Sequence, residues 1–144
     1  MLAGKRGLAL LFAAAALPGC GGDDDGAQTG TQATVASDQR GVLRTIDALQ
    51  TASRRGAGDE ICRSLFTPQL VRSIEQASTR TCATEVRTRL FRPNATISVQ
   101  RGIMVEGDTA TAVIREQNGD TSTLHMVRQG DRWRIDRVTP GAGS

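Results

Sequence analysis

The chain of 144 residues contains no tyrosine, one tryptophan and a single histidine, His125. One histidine excludes a metal site built on two imidazoles, and any Ser/His/Asp assembly would depend on that one side chain. The three cysteines show no Cys-x-x-Cys spacing, and the glycines show no phosphate-cradling spacing. We therefore expect no metal site and no cofactor.

The first 19 residues have the three parts of an export signal. Lys5 and Arg6 give a cationic start, and an apolar run follows at positions 8–17. That run matches a signal h-region and is too short to span ~30 Å of hydrocarbon. Gly19 supplies the small residue before a cleavage point. The pattern predicts that residues 1–19 are a signal peptide.

The sequence Leu17-Pro18-Gly19-Cys20 resembles the lipobox of bacterial lipoproteins. The resemblance implies cleavage before Cys20 and a diacylglycerol thioether on its sulfur. Two or more acyl chains would anchor the protein stably at the extracytoplasmic face of the cell membrane. The alternative is an ordinary secretory signal in which Cys20 is incidental.

Loss of the signal leaves a chain close to neutral. The full sequence has 18 basic and 15 acidic residues, and removal of Lys5 and Arg6 leaves 16 basic ones. The arginines are dispersed, without the one-sided patch of a nucleic-acid binder, so we expect no nucleic-acid partner. Residues 20–37 have almost no large apolar side chain and are predicted as a lipid-anchored flexible tether.

Residues 38–93 show helical periodicity. A first helix is predicted from about residue 38 to the glycines at 56 and 58, with these residues buried: Val42, Ile46, Leu49 and Ser53. A short helix from Asp59 follows. Thr67-Pro68 has the favoured cap-then-proline order and begins another helix. Its predicted inward residues are Leu70, Val71, Ile74 and Ala77. A last helical segment is predicted to end at Phe91.

Residues 97–138 switch to period two, which is typical of strands. Gly102 is a plausible bulge in the first strand, and Asn118-Gly119 is a strong hairpin signal. The residues of inward parity on the later strands are Ala110, Ala112, Ile114, Leu124, Met126, Trp133 and Ile135. Helices followed by an antiparallel meander predict an α+β domain over residues 38–138, with a flexible tail at 139–144.

Two motifs make this ending resemble the nuclear transport factor 2-like superfamily. A Gly-Asp-x-Ala-x-Ala strand occupies residues 107–112, and a turn followed by Trp-x-Ile occupies residues 130–135. The resemblance implies N-terminal helices packed in a curved four-stranded antiparallel sheet, a cone with a pocket at its open end. It also implies that Trp133 fills the core beside the first helix. Ligand stacking is the other possible role of Trp133.

Cys62 and Cys82 both fall in the helical half of a domain that is predicted to be exported. An oxidising compartment favours a disulfide between them, which would stabilise a small domain by ~3 kcal/mol in the chain-entropy model. Similar pairs occur in lipoproteins of the family that this chain resembles. A redox thiol pair or a metal site is the alternative.

The search for catalytic groups gives weak candidates. Enzymes of the superfamily use an Asp base with a Tyr and a protonated Asp, as in ketosteroid isomerase, and this chain has no tyrosine. His125 has the strand parity that points away from the interior. The helical carboxylates Asp47 and Glu75 lie off the apolar faces, and Asp136 has outward or edge parity. We therefore expect no enzyme activity.

Three functions remain open. The first is a non-catalytic envelope domain that binds a small apolar ligand or an envelope protein. The second is a structural module that forms a homodimer through the outer sheet face: Thr109, Thr111, Val113, Arg115, Thr121, Thr123, His125 and Val127. The third is an enzyme of the ketosteroid-isomerase-like type. An apolar cavity would favour ligand binding, and a filled cone would favour the homodimer. An inward carboxylate with a raised pKa would favour an enzyme.

Overall fold

The computed structural model describes residues 26–93 and 96–141. The predicted signal peptide, Cys20 and the last three residues of the predicted tail lie outside the described residues. The elements, with π1 and π2 for two π-helical turns, are α1 (Gly26–Arg54), α2 (Gly58–Glu60), π1 (Ile61–Leu65), α3 (Pro68–Ser78), α4 (Cys82–Glu85), π2 (Val86–Leu90), β1 (Ile97–Val99), β2 (Met104–Glu106), β3 (Thr109–Glu116), β4 (Thr121–Gln129) and β5 (Arg132–Pro140). The fold is α+β, as predicted.

Helix α1 begins at Gly26, twelve residues before the predicted start, so residues 26–37 of the predicted tether are helical. Residues 32–37 are exposed, and full burial starts only at Gly41 and Val42. For residues 32–37, packing therefore does not explain the extension. Once the buried turns exist, each added residue forms a hydrogen bond without a new nucleus, and the helix propagates toward the N-terminus. Residues 20–25 of the predicted tether lie outside the described part of the chain.

The predicted buried face of α1 is confirmed. Val42 and Leu49 are 0 % exposed, and the hydroxyl of Ser53 donates to the carbonyl of Leu49 at 2.7 Å. Gly41 lies under the ring of Trp133, where an added Cβ would be 2.7 Å from Trp133 Cδ1. The absence of a side chain at residue 41 therefore allows the tryptophan to pack directly on the helix.

The two short helical segments after α1 each end in a π-helical turn. Phe66 N–H donates to the carbonyl of Ile61 at 3.0 Å, and Phe91 N–H donates to that of Val86 at 2.8 Å. Each bond spans five residues instead of four, which widens the turn and shifts the side-chain phase. Both turns deliver a phenylalanine to the core, where the two ring centroids lie 6.4 Å apart. The sequence periodicity did not predict these turns.

Helix α3 begins as predicted, with Thr67 as its cap and Pro68 in the first turn. Thr67 Oγ1 accepts a hydrogen bond from Leu70 N–H at 3.2 Å. The inward prediction is only partly right, because Leu70 and Ile74 are half-buried and Ala77 is exposed. No residue of α3 is fully buried, so this helix lies at the edge of the core.

The sheet has five antiparallel strands in place of the predicted four, and it is not closed. The predicted first strand is divided into β1 and β2, which both pair with β3 along the same edge. Val99 pairs with Ile114 and Met104 with Thr111, so the β1–β2 edge has two more residues than β3 between these pairs. The irregularity includes Gly102, where the sequence predicted a bulge.

The inner face of the sheet agrees with the predicted parity. The buried residues on β3 to β5 are Ala110, Ala112, Ile114, Leu124, Met126, Trp133 and Ile135. A bulge in β5 places Met126 opposite Ile135 and His125 opposite Arg137, which bends the strand. Thr67 N–H donates to the carbonyl of Ile135 at 2.9 Å and ties the start of α3 to this strand.

An arginine on β4 joins the start of the packed domain to the sheet. Arg128 Nη1 lies 2.7 Å from Asp38 Oδ1, and its Nη2 lies 2.7 Å from Asp108 Oδ1. The guanidinium carbon is also 5.5 Å from the ring centroid of Trp133, within cation–π range. Hydrogen bonding to Asp108, opposed by desolvation, raises the pKa of Arg128. Asp38 thus marks the point where α1 joins the domain.

Candidate functional site

The cysteine pair forms a disulfide, as predicted. Cys62 of π1 is bonded to Cys82 at the start of α4, with their Cα atoms 6.2 Å apart. Both residues are buried in the helical half of the core. The bond therefore connects the two irregular helical segments, and neither sulfur is a free thiol. Cys20, the predicted lipidation site, lies outside the described residues.

Trp133 lies in the core, where the family resemblance placed it. It is 5 % exposed, and its backbone carbonyl accepts a hydrogen bond from the hydroxyl of Thr45 at 3.0 Å. A surface depression of about 200 Å³ touches Trp133 between Arg44 and Arg132. Only a small part of the side chain reaches this depression, so packing against α1 is its main contact.

The three predicted candidate carboxylates make structural contacts or face solvent. Asp47 is exposed. Glu75 Oε1 accepts a hydrogen bond from Cys82 N–H at 3.1 Å, and Asp136 Oδ1 accepts one from the hydroxyl of Thr67 at 2.9 Å. His125 is half-buried, with its Nε2 3.3 Å from Thr139 Oγ1. These side chains are not brought together.

A cleft of about 340 Å³ opens where the β3–β4 hairpin, the end of β5 and the end of π2 meet; we call it the Glu116 cleft. Its charged lining residues are Arg89, Arg92, Glu116 and Asp120. Hydroxyls of Thr121 and Ser122 also line it, with Leu90 and Val138 as apolar wall. The cleft therefore offers cations, anions and a short apolar surface together.

Glu116 is an acid of this cleft whose pKa is shifted from its ordinary value. Burial raises the pKa of its carboxyl, the nearby charge of Asp120 raises it further, and Arg92 lowers it. The side chain is half-buried at the end of β3. An acid in this environment is stabilised by a cation or hydrogen-bond donor that enters the cleft.

A second, smaller depression of about 210 Å³, open to the surface, lies between α3 and π2; we call it the Glu85 cavity. Ile74, Ala77 and Leu90 form apolar parts of its lining. Glu85 is 7 % exposed, and its Oε1 is 3.3 Å from Arg89 Nη1. Its other oxygen, Oε2, is buried without a hydrogen-bond partner.

The two cavities are neighbours, because Arg89 and Leu90 line both of them. These two residues belong to π2, whose wide turn ends with the bond from Phe91 N–H to Val86 O. π-helical turns are frequent at functional sites. The π2 turn therefore forms a wall that both cavities share. Glu85 lies in the cavity on one side of this wall, and Glu116 lies in the cleft on the other.

The sequence reasoning missed Glu85, Glu116 and the two arginines beside them. A signal for Glu116 was available, because it shares the inward parity of Ala112 and Ile114. Glu85 precedes the buried Val86 and follows Cys82 by three positions, so helical spacing also placed it near the apolar face. Arg89 and Arg92 gave no signal, because no motif or periodicity in the sequence places them beside the cleft.

Within residues 26–93 and 96–141, no group of three or more His, Cys, Asp or Glu side chains has the arrangement of a metal site. In that same part of the chain, no helix combines the length and apolar character needed to cross a membrane.

Comparison with known proteins yields no family model that matches the chain, and neither a curated protein nor a solved structure matches it.

Proposed function

We propose that this chain is a membrane-anchored envelope lipoprotein whose domain binds a small ligand in the Glu116 cleft without transforming it. The observation that carries the proposal is the cleft itself, where two arginines and two carboxylates surround a space of about 340 Å³. This volume falls within the usual range of small-molecule sites. The ligand that fits best carries charges of both signs.

The ligand class therefore differs from the apolar molecule that the sequence suggested. The interior between helices and sheet is occupied by large side chains, including Phe66, Phe91 and Leu124, each at most 1 % exposed. Arg89 and Arg92 favour an anionic group, and Glu116 favours a cationic or hydrogen-bond-donating group. A zwitterionic molecule with a short apolar portion satisfies both.

Binding without chemistry is supported by the cleft's lining. Thr121 and Ser122 present hydroxyls there, but the lining includes no histidine that could activate them as nucleophiles. Glu116 has a raised pKa, and the second carboxylate of the lining, Asp120, contributes to that rise through its like charge. The residues present suit recognition better than catalysis.

The anchor is supported by the first 20 residues and by the exposure of residues 32–37. The lipobox-like segment ends at Cys20, before the packed domain. Residues 32–37 of α1, which are exposed, lie between the proposed anchor and the packed domain. For the domain itself we propose a nuclear transport factor 2-like cone. This identity rests on the two sequence motifs, the helix-then-sheet order and the packing of Trp133 on α1.

The test uses protein purified from its own membranes. Native mass spectrometry should find two or more acyl chains on Cys20 and a small molecule retained by the folded chain. The Cys20→Ala variant, or treatment with the signal-peptidase inhibitor globomycin, should change membrane retention or processing. A mature chain that begins elsewhere, without lipid mass, would contradict the anchor.

Glu116→Gln tests the cleft, because it removes the charge while keeping the shape. The retained molecule should be lost from this variant and kept by Glu106→Gln, a matched change at an exposed carboxylate on β2. Wild-type protein that carries no small molecule, or an equal load in both variants, would contradict ligand binding in the cleft.

A homodimer through the outer sheet face is the second candidate. Met104 is 66 % exposed on β2 and pairs with Thr111, beside the half-buried Val113 and Val127. A second copy would cover these apolar side chains. Sedimentation should then detect a dimer that Met104→Glu dissociates; a monomer at all concentrations would contradict this candidate.

A further inference from the structure

In the described part of the chain, Glu85 Oε2 is the one buried side-chain nitrogen or oxygen atom without a hydrogen-bond partner. The side chain of Glu85 is 9 % exposed, and Oε2 has no hydrogen-bond donor. A buried carboxylate oxygen that loses its hydration without gaining a donor is costly. Such groups are usually paired, so an unpaired one needs a partner from outside the fold or another explanation.

The surroundings of Glu85 specify what that partner should be. The Glu85 cavity is lined by Ile74, Ala77 and Leu90, with Ser78 and Arg89 as its other polar residues. The Ser78 hydroxyl already donates to the carbonyl of Ile74 at 2.8 Å. Arg89 reaches only Oε1. Glu85 Oε2 therefore lacks a hydrogen-bond donor, and the cavity beside it is lined mainly by apolar side chains.

We propose that Glu85 binds the ammonium group of a short-chain primary amine, whose carbon chain packs against Leu90 in the Glu85 cavity. The space of about 210 Å³ corresponds to roughly seven water-sized groups, which suits an amine with a few carbons. Because Leu90 and Arg89 also line the Glu116 cleft, this inference rests on the proposed function and names the cationic end of its ligand.

Arg89 is the competitor for this site. Its side chain is 67 % exposed, and its Nη1 lies 3.3 Å from Glu85 Oε1. The carboxylate plane of a glutamate turns easily about its last torsion, so Oε2 can rotate toward the cavity when an ammonium enters. The incoming cation repels the guanidinium, which is free to turn toward the Glu116 cleft.

The experiment titrates the full-length chain, ¹⁵N-labelled and purified from its cells, with n-butylammonium chloride and follows backbone amide shifts. Saturable shifts are expected in residues 74–78 and 85–90. Glu85→Gln should weaken binding about tenfold or more, because a charge-assisted hydrogen bond is lost. Glu60→Gln, at an exposed carboxylate paired with Arg55, should leave the affinity unchanged.

Two further arms keep the outcome decisive. Arg89→Gln should tighten n-butylammonium binding severalfold, because it removes the competing cation and changes only an exposed side chain. The uncharged n-butanol should bind much more weakly than n-butylammonium. If n-butanol binds as well, or Arg89→Gln weakens the amine, the proposal is overturned even where Glu85→Gln does not fold.

Failure of this inference is distinguishable from failure of the proposed function. A wild-type chain without saturable shifts, or a Glu85→Gln variant that binds n-butylammonium equally well, overturns the amine site. If that variant still retains the molecule seen by native mass spectrometry, ligand binding in the Glu116 cleft stands. If that molecule is lost from Glu116→Gln but not from Glu85→Gln, ligand binding in the Glu116 cleft likewise stands and the amine site is overturned.

Discussion

The helical half, residues 26–91, and the sheet half, residues 97–140, achieve stability by different means. The sheet buries alternate residues along β3, β4 and β5 and pairs its strands in register. The helical half contains a disulfide, two π-helical turns and a helix, α3, with no fully buried residue. Strand pairing and alternate burial stabilise the sheet, whereas the helical half also contains a covalent link.

The candidate site lies where the two halves meet. The inner sheet face is filled by apolar side chains. The buried unpaired oxygen of Glu85 and Arg89 of the cleft belong to the helical half, whereas Glu116 and Asp120 of the cleft belong to the sheet half. Irregular backbone allows polar groups to be placed where a regular helix would not aim them.

Trp133→Ala should have the largest effect, because this residue joins both halves. Truncation of a buried tryptophan costs about 3–5 kcal/mol of unfolding free energy. The variant also loses the contact of the ring with Gly41. Urea unfolding followed by circular dichroism measures the loss, and both halves should unfold in one transition. A loss below about 1 kcal/mol would mean that the halves are stabilised independently.

The double variant Cys62→Ala/Cys82→Ala should come next, with a loss of about 3 kcal/mol in the chain-entropy model. The sequence separation of the pair is 20 residues. Wild-type protein in reducing agent should show the same loss, and the double variant should not respond to the reductant. Hydrogen exchange should speed up more in α3 and α4 than in β4. Uniform acceleration would contradict the division into two halves.

The two helix caps Thr67 and Thr81 provide a matched pair of smaller changes. Both hydroxyls accept a hydrogen bond from a backbone N–H, but Thr67 is 2 % exposed and also donates to Asp136 on β5. Thr67→Ala should cost about 1–2 kcal/mol and Thr81→Ala about 0.5–1 kcal/mol. Thermal unfolding measures both. Equal losses would mean that the link to β5 contributes nothing.

The pH dependence of Glu116 should be the smallest effect. The pKa of its carboxyl is raised in the folded state, chiefly by burial, from an ordinary value of 4.5. The folded chain therefore holds this proton more tightly, and its stabilising contribution is present below pH 4.5 and decreases as the pH rises through the folded pKa. Melting temperatures of wild type and Glu116→Gln should diverge across that window, with the variant lacking this decrease. Parallel curves would contradict it.

The sheet could be predicted from sequence because period two translates directly into inside and outside. Ala110, Leu124 and Ile135 are buried for that reason. Thr67-Pro68 was also predictable, because the cap needs only local chemistry. The fifth strand was missed because the division between β1 and β2 depends on pairing with β3, which lies later in the chain.

The candidate site was much less predictable. Periodicity within α4 and π2 indicated only that Glu85 lies near the apolar face, and it did not predict the cavity that Glu85 forms with α3. The π2 turn shifts the phase of Arg89 and Leu90 relative to a regular helix. Arg128 reaches Asp38 across 90 residues of sequence, and local patterns carry no information about such a contact.

The junction at Asp38 determines how a mechanical load enters the domain. Asp38 is bound by Arg128 of β4, and the neighbouring Gln39 side chain donates to the carbonyl of Ile103 at 3.2 Å. A force on the residues before this junction therefore acts on the contacts with Arg128 and Ile103 before it acts on the buried turns of α1. Tension along the N-terminal segment would strain an ion pair and a hydrogen bond first, while the hydrophobic interior stays unloaded.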